Sequence, residues 1–427
     1  MTRPTNVRWR VFILIALGSF TAYVLRAPLS VGAAAMIEDL EISKIQFGWV
    51  MSAYFISYAA FQFPGGVFGD KVGPRKALTI IATLWAVGLA LTAIVPGPAV
   101  WSAGAIVGFL MVVRFLNGIV HAPVFPVQNV SICRWFPVGG WGLPTGLSGS
   151  GLTLGAGLAS PLVAWLIVEF DWRTSFLVVA PLGVILSGLW WWYSRDNPAD
   201  HPAINDAEVE LIAANRTKQV IGPINPPGWV RILKDRNIIL LSLSYAFSNY
   251  VFYSVMTYFA LYLMDGRMFD QIEAGNYNAQ IWFVAAAGAA FGGWLCDRLC
   301  KKLGLLWGYR WPIIIGQSGC ALLFFLGAYY GNPVLAVAVF SLGLCFQQIT
   351  EGAYWSSSIS IGGSLAGAAG GILNTGANLM GAINGIMLVW LAESYDWQLA
   401  MASNGVMTTL ALVLMLTVRT DKTVPLN

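Results

Sequence analysis

The chain has 427 residues, of which 57% are hydrophobic and only 10% charged, with a net charge of +4. A soluble domain carries about 25% charged residues, so this composition excludes a string of water-facing domains, a disordered chain and a secreted disulfide scaffold. The weak net charge gives no reason to expect a nucleic-acid partner, and the solvent that suits such a chain is a lipid bilayer.

Hydrophobic stretches recur at roughly 11–36, 46–68, 77–96, 104–132, 142–168, 174–194, 238–264, 277–296, 311–330, 334–360, 366–392 and 399–419. Each can cross a hydrocarbon core of about 30 Å as a helix. Helix is the default because lipid offers no partners for open backbone groups, and the runs are too long and too uniformly apolar for a β-barrel. The predicted class is an all-α membrane protein with 12 transmembrane helices. Arg8 and Arg10 lead into a first stretch too long for a signal-peptide core, so it reads as a retained span.

An even span count places both termini on one side, and the basic residues choose the side. On the terminal side lie Arg3, Arg8, Arg10, Lys71, Arg75, Lys76, Arg134, the central-loop residues Arg195, Arg216, Lys218, Arg231, Lys234 and Arg236, then Arg298, Lys301, Lys302, Arg310, Arg419 and Lys422. The other side holds Lys44, Arg173 and Arg267. Both termini are therefore expected in the cytoplasm. Short outer loops without an obvious glycosylation sequon fit a bacterial inner membrane.

Cys133, Cys296, Cys300, Cys320 and Cys345 are scattered in or beside spans. Cys296 and Cys300 lack the further ligands a metal site needs. Gly146 to Gly157 is glycine-rich without the Lys-Ser/Thr ending of a phosphate loop, and reads as close helix packing that allows sliding. No cofactor, metal or catalytic residue is expected.

Residues 195–237 form the only long polar stretch between spans, dividing an N-terminal six-helix bundle (1–194) from a C-terminal one (238–427). An internal repeat supports the division. Gly66-x-x-x-Asp70-Lys71 ends the second span and Gly293-x-x-x-Asp297-Arg298 the eighth, 227 positions apart. Asp171-Trp172 precedes the sixth span and Asp396-Trp397 the twelfth, 225 positions apart. Two parallel halves related by a pseudo-two-fold along the membrane normal point to a rocking transporter with a midplane site.

Several stretches carry a resemblance. They are Gly66 to Lys76 after span 2, Tyr23 to Val31 in span 1, Phe61 to Gly66, Arg114 to Gly118, Ala122 to Pro126, Trp135 to Pro137, and Gly370 to Asn374. Across most of its length the chain resembles the major facilitator superfamily. Within it, the chain resembles the anion:cation symporters, a branch with sugar-acid transporters, sialin and vesicular glutamate transporters. The resemblance implies alternating access and a small organic anion as substrate, with the proton as coupling ion and a monomer as the working unit. The alternatives are an uncoupled facilitator or anion exchanger, a transporter of a zwitterion, and, more remotely, a membrane-embedded enzyme or receptor. The identity of the substrate is not legible.

Three formal charges lie deep within spans: Arg26, Arg114 and Glu351. Such groups are functional candidates by default because lipid penalises them. Guanidinium offers a planar fork suited to carboxylate or phosphate. In the family the matching arginines are linked with substrate and coupling. Here the chain departs from the pattern. Leu25 and His121 stand where proton-coupled members carry acids, leaving His121, Glu351 or no residue as proton carrier. Tyr23, Tyr58, Trp355 and Asn374 match site-lining positions. Tyr54 beside Tyr58, the Asn249–Tyr253–Thr257 face, Asn378 and the pair Ser150 and Thr153 are further candidates. Asp70 with Arg75, and its repeat counterpart Asp297 with Arg298, are candidates for a charge latch at the rim. His201 in the central loop is expected to be inert.

Overall fold

The computed structural model describes residues 3–214 and 227–424. Arg216, Lys218 and Pro226 of the central loop lie outside the described residues. Among these residues nine helical stretches are long and apolar enough to cross a membrane. Two of them, Gln271–Tyr329 and Pro333–Ser394, each hold two spans. The first turns at Gly304, whose φ of 75° falls in the left-handed region that favours glycine. The remaining span consists of Lys44–Ala60 and Gln62–Val72, each too short alone because the helix breaks at Phe61. Twelve spans result, as the composition required.

The breaks fall at consequential places. Span 4 runs Ala103–His121 and Val124–Trp135, interrupted where Pro123 cannot continue the ladder. Span 10 runs Pro333–Ile349 and Glu351–Gly362, so Glu351 opens the second segment, where the helix dipole favours a carboxylate.

The Asp-Trp markers of the repeat are helix caps. Asp171 accepts a hydrogen bond from the Thr174 N–H at 2.5 Å and Asp396 from the Leu399 N–H at 2.6 Å. Each satisfies an orphan donor at the start of span 6 (Trp172–Tyr193) or span 12 (Trp397–Thr417). Span 1 (Val7–Val31) starts differently. Asn6 gives no side-chain cap. The buried Glu208 of the linker helix Asp206–Ala213 accepts instead from the Val7 N–H at 2.8 Å, the Arg8 N–H at 3.1 Å and the Arg8 guanidinium at 3.0 Å. The linker thus closes onto the first half rather than trailing from it.

In the first half span 1 packs on span 5 (Gly142–Glu169), span 2 on span 4, and span 3 (Pro74–Ala93) on span 6. The halves meet along spans 2, 5, 8 and 11 (Ala366–Ser394). Glycine permits that approach. A Cβ on Gly66 would collide with the Gly367 carbonyl, and one on Gly293 with the Gly142 carbonyl. Side chains such as Ile13, Val112, Leu322 and Ile386 face outward on the perimeter, where lipid rather than water suits them.

Candidate substrate site between the halves

Two cavities lie on the axis between the halves. The inner one, about 740 Å³, is lined by Arg26, Tyr58, Asn249, Tyr253, Glu351 and Trp355 among others. The outer one, a vestibule of about 1680 Å³ counted to its open mouth, is lined by Tyr54, Arg114, Thr257 and Trp282, and by Ser30 and Asn276 near the face away from the termini. Tyr23 and Arg26 line both.

Arg26 is ringed by aromatic faces. Its guanidinium carbon sits 5.9 Å from the Tyr23 ring centroid, 5.5 Å from Tyr54, 5.3 Å from Phe55 and 5.6 Å from Tyr58. That of Arg114 sits 4.8 Å from the same Tyr54 ring. Aromatic quadrupoles stabilise the cations in part. Among the described residues neither arginine makes an ion pair or a hydrogen bond to the protein, and the Nε of Arg114 is buried without a partner. Two guanidiniums without acceptors, at the edge of water-accessible space, form a place for an anion.

His121 is placed otherwise. It shares a helical face with Arg114 but is fully buried and lines neither cavity. Its Nδ1 is hydrogen-bonded to the Tyr54 hydroxyl, and its ring lies 3.8 Å from that of Trp85. Nε2 has no partner. His121 therefore braces Tyr54, the ring beneath both arginines.

Glu351 does face the inner cavity. Its Oε1 accepts from the Tyr245 hydroxyl and from the Trp355 indole N–H, each at 2.8 Å. Among the described residues it is the only carboxylate lining either cavity. Asn374 lines the same space and donates across the halves to Gln62 at 3.0 Å, while Tyr253 donates to Asn378 at 2.8 Å.

The inner cavity is shut towards the termini. Asp70 accepts from the Gly367 and Ala368 N–H groups, both at 2.8 Å, at the start of span 11. Asp297 accepts from the Gly142 N–H at 2.7 Å and the Leu143 N–H at 3.1 Å, at the start of span 5. Each carboxylate caps a helix of the opposite half, and the cap positions repeat at the sequence interval found above. Asn129 adds a bond to Ser358 at 3.0 Å, and Thr145 one to the Gly352 carbonyl at 3.0 Å.

A family model described as Major Facilitator Superfamily matches residues 15–385. The chain belongs to the major facilitator superfamily. A probable sulfoacetate transporter of Cupriavidus necator is 28% identical over 403 residues, covering 93% of this chain and 90% of that protein. A D-galactonate transporter of Escherichia coli is 27% identical, covering 92% and 91%, and a hexuronate transporter of Bacillus subtilis 25% identical, covering 87% and 85%. Among solved structures, a proton:xylose symporter superposes with a TM-score of 0.77 at 16% identity, covering 99% of this chain and 98% of that one. The fucose:proton symporter of Escherichia coli superposes with a TM-score of 0.72 at 14% identity, covering 96% and 98%. The protein is thus a multi-pass membrane transporter rather than an enzyme, and its relatives fit the anion:cation symporter resemblance.

Within this superfamily fold, the substrate candidates Tyr23, Arg26, Tyr54, Tyr58, Arg114, Tyr253, Trp355 and Asn374 all line one cavity or the other. One expectation is corrected. The rim carboxylates bond to backbone N–H groups, not to the basic residues nearby. Arg75 instead donates to the Trp191 carbonyl at 2.7 Å, and Arg298 lies over the Trp294 ring at 4.8 Å. A carboxylate at a helix start gains two donors and the dipole together, so it has no need of a basic side chain. Of the two candidate proton carriers, Glu351 lines the inner cavity, whereas His121 lines neither and packs among Tyr54, Tyr58 and Trp85. Ser150 and Thr153 are occupied in packing, Ser150 donating to the Ala286 carbonyl at 2.8 Å and Thr153 to the Ser150 carbonyl at 3.0 Å. His201 packs between Trp135 and Tyr193, where burial pushes its imidazole below the usual range.

Sequence reasoning missed Tyr245 and Gln62. Tyr245 is one turn before Asn249, so extending the span 7 face by four residues would have found it. Gln62 is a lone amide between two phenylalanines, with nothing local to mark its partner in span 11.

Proposed function

We propose that this protein imports a small organic anion by proton symport, through alternating access of residues 1–194 against 238–427 about the cavity. The observation that carries this reading is the pair of guanidiniums, Arg26 and Arg114, without acceptors at the edge of open space. Arg26, reaching both cavities, guides the anion inward. Tyr58, Tyr253 and Asn374 supply hydroxyl and amide contacts, and Glu351 carries the proton, because among the described residues no other carboxylate lines the cavities. The terminal face, rich in basic residues, is cytoplasmic in a bacterial inner membrane, and the closed caps at that face make this the outward-facing state. The working unit is a monomer in the bilayer.

The test is uptake into proteoliposomes of sulfoacetate, D-galactonate and a hexuronate, the compounds named for relatives. An inward proton gradient should drive one of them above equilibrium, and Glu351→Gln should reduce this to equilibration at similar affinity. The second reading, an uncoupled facilitator, is favoured by Leu25 and by the sealed His121. It prevails if the wild type only equilibrates its substrate.

A further inference from the structure

Resting on the anion-transport reading, we infer that the substrate is a dianion, with one acid group on each of Arg26 and Arg114. Charge compensation is the argument. Both guanidiniums line the same vestibule, and both lie over the single Tyr54 ring, at 5.5 and 4.8 Å from its centroid. Their guanidinium carbons are therefore no more than about 10 Å apart, a gap that one small ligand with an acid group at each end can span.

Among the described residues no carboxylate lines that vestibule. Leu25, next to Arg26, and His121, two turns after Arg114, are both buried, and neither is an acid. Glu351 shares the inner cavity with Arg26, but among the described residues it makes no ion pair with either arginine, and its Oε1 is held by Tyr245 and Trp355.

Arg114 sharpens the point. It is 4% exposed, and its Nε has no partner among the described residues. A deeply placed guanidinium left without an acceptor is costly. A monoanion that bound Arg26 would leave that cost in place. A second acid group on the same molecule removes it, and the free energy appears as affinity.

The test uses purified full-length protein and binding calorimetry on matched pairs, each dianion against the analogue with one carboxylate replaced by hydroxymethyl. The pairs are D-glucarate against D-gluconate, succinate against 4-hydroxybutyrate, and sulfoacetate against isethionate. At least one dianion should bind tenfold or more tightly than its partner, which corresponds to about 1.4 kcal/mol. Arg114→Gln should bring that ratio near one, and Arg114→Lys should keep part of it. Equal binding within every pair that binds would overturn the dianion while leaving anion transport standing. So would a wild-type preference that Arg114→Gln leaves intact. If no member of any pair binds, the anion reading itself falls and the dianion with it. The wild-type ratio decides even if a variant does not fold.

Discussion

At the residue scale, burial and connection to open space decide what a deep polar group does. Arg114 and His121 are seven residues apart on one helical face, a spacing that makes them neighbours. One looks into the vestibule; the other lies beneath Tyr54, stacked against Trp85. A histidine in that position orients the tyrosine and meets the path only through the Tyr54 hydroxyl. His121→Gln, which can still bond the Tyr54 hydroxyl, should keep proton-driven accumulation and raise KM by roughly three- to tenfold, about 1 kcal/mol for a weakened neutral hydrogen bond. Loss of accumulation with unchanged KM in a transport assay would return the proton to His121.

At the element scale, helix starts are where this chain concentrates its acidic side chains. Asp171 and Asp396 cap their own helices, whereas Glu208 caps another element altogether. The Glu208 carboxylate accepts from Thr5, Val7 and Arg8, including a 3.0 Å ion pair, and it is fully buried. Truncating one partner of such a network strands the others. Glu208→Ala should therefore destabilise the docking of span 1 on the linker by about 2–4 kcal/mol, seen as a lower thermal midpoint in detergent and faster hydrogen exchange at residues 5–8. An unchanged midpoint and unchanged exchange would show the contact to be incidental.

At the scale of the whole molecule, two carboxylates related by the pseudo-two-fold bridge the halves at the closed face. Asp70 and Asp297 hold helix starts across the interface, and each leaves two backbone N–H groups unsatisfied when the halves part. A hydrogen bond to a charged acceptor contributes about 1.5–3 kcal/mol. Replacing both with alanine should shift the balance between the two faces by several kcal/mol, enough to move the population towards the state open at the termini. Spin labels on the ends of spans 5 and 11 should report a longer mean distance in the double variant. Distances that stay as in the wild type would place the lock elsewhere, in contacts such as Asn129 with Ser358.

The sequence by itself determined the solvent, the count of spans, the parallel repeat and the three charges at membrane depth. These follow from composition, from segment length against bilayer thickness, and from markers that recur at a fixed interval. It also contained both rim carboxylates and both Asp-Trp caps, because a cap is a local event written within four residues. The tertiary structure decided what faces what. Helical periodicity orients side chains around one axis, but does not say which neighbouring helix or which water-filled space they meet. That is why Asp70 could be singled out while its partners, backbone N–H groups almost 300 positions away, could not. For the same reason Arg114 and His121 looked alike as letters on one face, and only the packing of Tyr54, Tyr58 and Trp85 separated the guanidinium that faces the vestibule from the imidazole that braces the tyrosine.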